Sequence, residues 1–200
     1  MKHPSHPILT RLAKASAVAA GALAALVLAG CVVTSVYPWY TDKDVVFDPV
    51  LVGTWSTPES KTNEFWQFEK FDGQTYKLTI VDSDDKRTEF DARLFTLDNR
   101  RYLDFLPRDR EGGGIPAHYL MRVDAVTPTL ELTLLDYGWL EKLVTAETNT
   151  IRHTFVPKPI GESGNGDLVL TANTAELQAF LRKHAANTNA FPQPTKLKRR

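Results

Sequence analysis

The chain has 200 residues, with 24 Lys and Arg against 24 Asp and Glu, and a single cysteine. The first 30 residues hold three of the basic residues and no acidic one, so the other 170 carry a net charge of −3. A mildly acidic body argues against a nucleic-acid partner, which requires clustered basic residues. A lone cysteine excludes an intrachain disulfide, so the fold must depend on its core.

The N-terminal segment has the features of a secretory signal. Lys2, Arg11 and Lys14 make its start cationic, and Ala17–Ala29 is a small, apolar run of thirteen residues. Such a run is shorter than the roughly 20 residues that span a bilayer, but it is typical of the apolar core of a signal peptide. We predict a signal peptide over residues 1–30.

The four residues Leu28-Ala29-Gly30-Cys31 resemble the lipobox of bacterial lipoproteins. The resemblance implies cleavage before Cys31, a diacylglyceryl group on its thiol, and a fatty acyl chain such as palmitate on its new amino group. Two or more chains give stable membrane anchoring, whereas one does not. By the same resemblance, to lipoproteins of two-membrane bacteria, Val32 after the cysteine implies the outer membrane, facing the periplasm, because an aspartate there tends to retain the protein in the inner membrane. The alternative is a plain signal peptide cut after Ala29 or Gly30.

Residues 31–47 are predicted to form a lipidated tether. Tyr37, Trp39 and Tyr40 lie beside Pro38, a few residues after the predicted lipid. Two interpretations stay open, because these rings suit the membrane–water interface and suit packing on an end of the domain equally well.

Alternation of apolar and polar residues predicts six strands in the next part of the chain. They are Phe65–Phe71, Tyr76–Ile80, Phe90–Leu94, Tyr102–Leu106, Tyr119–Val123 and Leu130–Leu134. Asp72-Gly73 is a strong hairpin signal, and Arg108–Pro116 is predicted to be a flexible loop. Closing such a meander into a barrel removes exposed edges.

The pattern changes after Leu135. A short helix is predicted near 137–144, and further strands at Ile151–Val156 and Asp167–Thr171. A C-terminal helix near 174–186, with Thr174 as its N-cap, is expected to pack on the outside of the barrel or across one end. We therefore expect a β-barrel domain over 48–172, the helix in 173–187 and a disordered basic tail over 188–200. The second interpretation of the tail is that its basic residues bind nucleic acid or anionic lipid.

Gly53-Thr54-Trp55 resembles the Gly-X-Trp motif on the first strand of lipocalins. The resemblance implies a mainly β fold, an antiparallel meander closed into a lipocalin-like β-barrel. It also implies a basic residue packed over the tryptophan, for which Arg152 and Lys158 are candidates. The order of features along the chain is similar to that of bacterial lipoproteins with lipocalin-like bodies and no known activity.

Reactive groups are scattered along the sequence. His118, His153 and His184 have no metal-ligand spacing, and no G-x-S-x-G motif is present, so we predict neither an enzyme nor a bound metal or cofactor. The candidate ligand-cavity residues are those that alternation directs inward, together with one strand histidine. They are Trp55, Trp66, Phe68, Tyr76, Phe90, Tyr119, Met121 and His153. The alternative is that they fill a solid barrel interior.

These observations suggest an envelope lipoprotein with a non-enzymatic binding role, for a lipid or other apolar small molecule or for an envelope protein. The alternative hypothesis is a scaffolding or assembly lipoprotein with a solid barrel. Such a protein would dock on a protein partner through its C-terminal helix or tail.

Overall fold

A computed structural model describes residues 32–58, 63–109, 116–147, 150–157 and 166–200. The predicted signal peptide, Cys31, Lys158 and most of the Arg108–Pro116 loop lie outside these residues. The strands are β1 (Thr34–Ser35), β2 (Val45–Val46), β3 (Gly53–Ser56), β4 (Phe65–Asp72), β5 (Thr75–Val81), β6 (Arg87–Leu97), β7 (Arg100–Pro107), β8 (His118–Ala125), β9 (Leu130–Leu134), β10 (His153–Val156), β11 (Asp167–Leu170) and β12 (Thr195–Arg199). The helices are α1 (Tyr137–Ala146) and α2 (Thr174–His184).

Eight strands close into an antiparallel barrel. β3 to β9 pair in sequence order, and β12 pairs with both β9 and β3 to complete the wall. The predicted lipocalin-like barrel with two helices is therefore confirmed, and each of the six predicted strands overlaps an observed one.

Tight turns connect the longest hairpins. Asp98 and Asn99 link β6 to β7 with φ values of 46° and 63°. This conformation suits the two-residue hairpin turn whose twist matches that of the flanking strands, and Asn and Asp tolerate it better than most residues. Gly73, with φ 49°, adopts the same left-handed conformation in the turn between β4 and β5.

The C-terminal tail is part of the barrel wall, so the prediction of disorder over 188–200 is wrong. Leu197 is buried in the barrel core, whereas Lys196 and Lys198 are exposed on the other face. Basic residues alternating with inward-facing ones are compatible with a wall strand, because only one face of β12 meets the interior. The high charge of the segment hid this alternation.

The barrel encloses an inner core, which is built from the inward-facing residues of all eight strands. A second, outer core covers the outside of β6, β7 and β8, where Phe95, Tyr102 and Leu120 point away from the interior. α1 and α2 pack on this face, with Leu140 and Leu181 fully buried. The helices therefore lie outside the barrel rather than across its end.

The predicted tether is also folded. Val33 and Trp39 are buried in the outer core, β1 pairs with β8 and β11, and β2 pairs with β6. The free energy gained by burying these apolar side chains offsets the conformational entropy lost when the segment becomes ordered. Trp39 and Tyr40 thus pack on the side of the barrel, while Tyr37 is 49% exposed.

The domain boundary at 48–172 needs a further correction. β10 and β11 extend the sheet from the edge of β1 and do not belong to the barrel wall. α2 begins at Thr174, within the predicted range, but its N-cap is Asn173 rather than Thr174, because Asn173 and Glu176 form a capping box. The Thr174 hydroxyl instead donates to the carbonyl oxygen of Pro38 at 2.8 Å.

Candidate functional site

The barrel interior brings together seven of the eight predicted cavity residues. They are Trp55, Trp66, Phe68, Tyr76, Phe90, Tyr119 and Met121, of which only Tyr119 is partly exposed. Four of these side chains make ring contacts inside the barrel, with centroids 6.3 Å apart for Phe68–Tyr76, 5.3 Å for Phe90–Phe105 and 5.4 Å for Phe105–Tyr119. These contacts are those of a packed core.

Tyr76 has a structural partner inside the barrel. Its hydroxyl accepts from the backbone N–H of Asp48 at 2.7 Å and donates to the Asp48 carbonyl oxygen. Burial raises the pKa of Tyr76 to about 12, against the lowering effect of the Asp48 N–H. The side chain therefore stays neutral and fixes the chain where it enters the barrel.

His153 does not reach the interior. It lies on β10, with Nδ1 2.8 Å from the carbonyl oxygen of Ile151 and its ring edge-on to Phe155. The prediction failed because the alternation that aligned His153 with Ile151 and Phe155 belongs to a strand outside the barrel.

The end of the barrel at Trp55 is closed by Arg199. The guanidinium lies 4.5 Å from the centre of the Trp55 ring and donates to the carbonyl oxygens of Val50 and Val52. Gly53 has φ 143°, and a Cβ there would lie 2.4 Å from Nη1 of Arg199. Arg199 is thus the basic residue over the tryptophan, and of the two predicted candidates Lys158 lies outside the described residues. Arg152 instead pairs with Glu176.

A cavity of about 250 Å³ lies beside β1 and β11, next to the start of β8 in the barrel wall. We call it the N-terminal cavity, and most of its lining is apolar. It is lined by Val32, Thr34, Tyr119, Val156, Asp167, Leu168 and Val169. Val32 is 4% exposed and forms a β-bridge with Asp136, so the folded body begins one residue after Cys31.

A second cavity, of about 190 Å³, lies on the outer face of the barrel. We call it the outer pocket, and six of its nine lining residues are polar or charged. It is lined by Tyr40, Phe71, Asp72, Thr75, Asp91, Arg93, Asp104, Leu106 and His118. Strand register explains part of this set, because Arg93 pairs with both Thr75 on β5 and Asp104 on β7.

A buried acid–histidine pair forms the floor of the outer pocket. Asp104 is 2% exposed, and one carboxylate oxygen lies 2.8 Å from Nδ1 of His118 while the other accepts from the N–H of Trp39. A carboxylate accepts only, so Nδ1 carries the proton and Nε2 is the ring atom left for a ligand. The pair holds its geometry because both of its members are buried.

Arg93 contributes the cation of the outer pocket. Its Nε donates to the Thr75 hydroxyl at 3.2 Å, and Nη1 donates to the Tyr40 hydroxyl in a short hydrogen bond. Burial raises the pKa of Tyr40, although the hydrogen bond from Arg93 opposes this effect. Two neutral hydroxyls therefore orient the guanidinium.

Sequence reasoning missed this pocket for a definite reason. His118 and Asp104 are 14 residues apart, and Tyr40 is more than 50 residues from Arg93 along the chain, so no local motif joins them. The one available signal was a polar residue within an apolar strand, Asp104 between Leu103 and Phe105.

Within the described part of the chain, no cluster of three metal-ligating side chains occurs, and none of its helices has the length and apolarity needed to cross a membrane. Comparisons with protein-family models, curated proteins and solved structures find no match to this chain. The fold defines the class of the molecule, an eight-stranded antiparallel barrel of lipocalin type with an outer helical layer.

Proposed function

We propose that this chain is a bacterial envelope lipoprotein, anchored by lipid on Cys31 in the outer membrane and facing the periplasm. We propose further that its barrel domain binds an apolar chain, such as that of a lipid, without catalysing a reaction. The observation that carries the proposal is the position of Val32, which follows the lipobox cysteine and also lines the N-terminal cavity.

The distance between the anchor and the fold supports a role at the membrane surface. One residue of extended chain spans at most about 3.6 Å, and Val32 is already fixed by its bridge to Asp136. A lipid on Cys31 would therefore hold the domain against the headgroups, with the N-terminal cavity on the side of the anchor. This cavity, rather than the barrel interior, is the place we assign to an apolar ligand.

The lining of the N-terminal cavity supports an apolar ligand. Three valines and Leu168 line it, and Val156 is 47% exposed. Its volume of about 250 Å³ lies below the range of roughly 300–1,000 Å³ for drug-sized ligands. A segment of an acyl chain fits this size better than a whole lipid does.

The scaffolding alternative has less support. It required a free C-terminal helix or tail, whereas Leu177, Phe180 and Leu181 of α2 are buried and β12 completes the barrel. Deleting the tail would disrupt the fold, so it would not isolate a docking surface.

The anchor is tested by Cys31→Ser in the full chain. We expect the variant to leave the membrane fraction and the wild-type protein to stay in it, because lipid on Cys31 is the proposed attachment. Mass spectrometry of the wild-type N-terminal peptide should show the diacylglyceryl and acyl groups. A Cys31→Ser protein that still sediments with membranes, or a free wild-type thiol, would refute the anchor.

The ligand is tested in the Cys31→Ser chain, where no covalent lipid competes for the cavity. Native mass spectrometry should detect a lipid-like adduct, and Val169→Phe should remove it by filling the cavity. Val50→Phe, the same change at a valine that is 39% exposed elsewhere, is the matched control. An adduct that survives Val169→Phe would place the ligand elsewhere and contradict this part of the proposal.

A further inference from the structure

The outer pocket contains a guanidinium without a carboxylate partner. Arg93 takes part in none of the ion pairs in the described part of the chain, although Asp104 is its cross-strand neighbour. Two of its five N–H groups go to the hydroxyls of Thr75 and Tyr40. The remaining N–H groups have no partner among the described residues.

Two of the three carboxylates in the pocket lining already have other partners. Asp104 is bound to His118 and to the N–H of Trp39, and Asp91 pairs with Arg108 at 2.7 Å. Neither forms an ion pair with Arg93. A guanidinium fixed by neutral hydroxyls presents a planar pair of donors, the geometry that matches a carboxylate or a phosphate.

The charge of the surroundings selects between these two anions. Three carboxylates lie in the pocket lining, and Asp72 at the rim has no ion-pair partner among the described residues. Like charges at short range disfavour a doubly charged phosphate more than a singly charged carboxylate. Leu106 and the exposed ring of Phe71 add apolar surface for a short chain.

We propose that the outer pocket is a binding site for a small monocarboxylate, whose carboxylate pairs with Arg93 and whose short apolar part contacts Leu106 and Phe71. The site lies outside the barrel and apart from the N-terminal cavity, so it does not depend on the lipid anchor or on the apolar ligand.

The experiment is a titration of the full chain in detergent micelles with butyrate, followed by the NMR signal of the Arg93 Nε–H group. We expect a saturable shift with a dissociation constant in the range of about 0.1–10 mM, typical of one good ion pair on a small ligand. Arg93→Gln should weaken butyrate binding at least tenfold. Arg87→Gln, at an exposed arginine on the same strand, should leave it unchanged.

Three results would overturn the proposal. They are the lack of a saturable shift, tighter binding of inorganic phosphate than of butyrate, and an equal response to butylamine, which has the same chain and the opposite charge. The ligand comparisons use the wild-type protein, so they decide the matter even if Arg93→Gln does not fold. Membrane attachment is measured separately with Cys31→Ser, so failure of one proposal is distinguishable from failure of the other.

Discussion

At the scale of single residues, His184 makes the stability of the outer core depend on pH. It ends α2 and packs against Trp139 and Phe180, with ring centroids 5.0 and 4.6 Å away. Its Nε2 is buried without a hydrogen-bond partner among the described residues. Burial lowers the pKa of His184 and Lys183 lowers it further, although Glu147 opposes both.

The lowered pKa of His184 determines how the free energy of unfolding changes with pH. The unfolded chain binds a proton near the ordinary histidine pKa of about 6.5, whereas the folded protein resists protonation to lower pH. Between the two pKa values the unfolded state holds more protons. His184 therefore reduces the free energy of unfolding as pH falls below about 6.5, and this loss levels off below its folded pKa.

We predict that His184→Phe reduces the pH dependence of the free energy of unfolding between about pH 5 and pH 7. The ring is kept while the titrating group is removed, so packing against Trp139 and Phe180 is largely retained. Urea unfolding at several pH values measures this, with His153→Phe on β10 as the control. Identical pH slopes in wild type and His184→Phe would contradict the role given to His184.

At the scale of elements, β12 is the strand that the sequence analysis mistook for part of a disordered tail. It lies between β3 and β9, and its Arg199 packs on Trp55. Leu197 is 1% exposed in the inner core, while its neighbour Lys198 is exposed. Two adjacent residues thus face opposite sides of the wall, which permits a matched pair of substitutions.

We predict that Leu197→Asp lowers the free energy of unfolding by more than about 3 kcal/mol, because it buries a carboxylate in an apolar core. Lys198→Asp places the same side chain in solvent and should cost no more than about 0.5 kcal/mol. Urea unfolding of the two variants gives the comparison. Similar small effects of both would mean that this segment does not form part of the wall.

The helices and hairpins were predictable because their signals are local. Asp72-Gly73 specifies a turn, Tyr76–Ile80 shows its alternation within five residues, and α2 carries its apolar stripe and cap within one short segment. Capping was mispredicted by one residue because both Asn173 and Thr174 suit the N-cap. Interactions between neighbouring residues determine such elements, so they can be predicted from the sequence alone.

At the scale of the whole molecule, the parts missed by sequence analysis depend on distant partners. Arg199 meets Trp55, Trp39 meets Asp104, and Tyr40 meets Arg93, all across large separations along the chain. The basic tail was predicted to be disordered, and the aromatic residues after the predicted lipid site suited the membrane interface and packing on the domain equally well. Only the closed barrel gives these residues their neighbours.

The placement of β12 also imposes an order of events on assembly. β3 and β9 precede β12 in the chain. They cannot be joined until residues 195–199, which follow both helices, have been synthesised. The emerging chain therefore carries two unsatisfied strand edges until β12 is synthesised, a state exposed to aggregation. The lipid attachment proposed at Cys31 lies far from β12 along the chain, so under that proposal anchoring does not require a closed barrel.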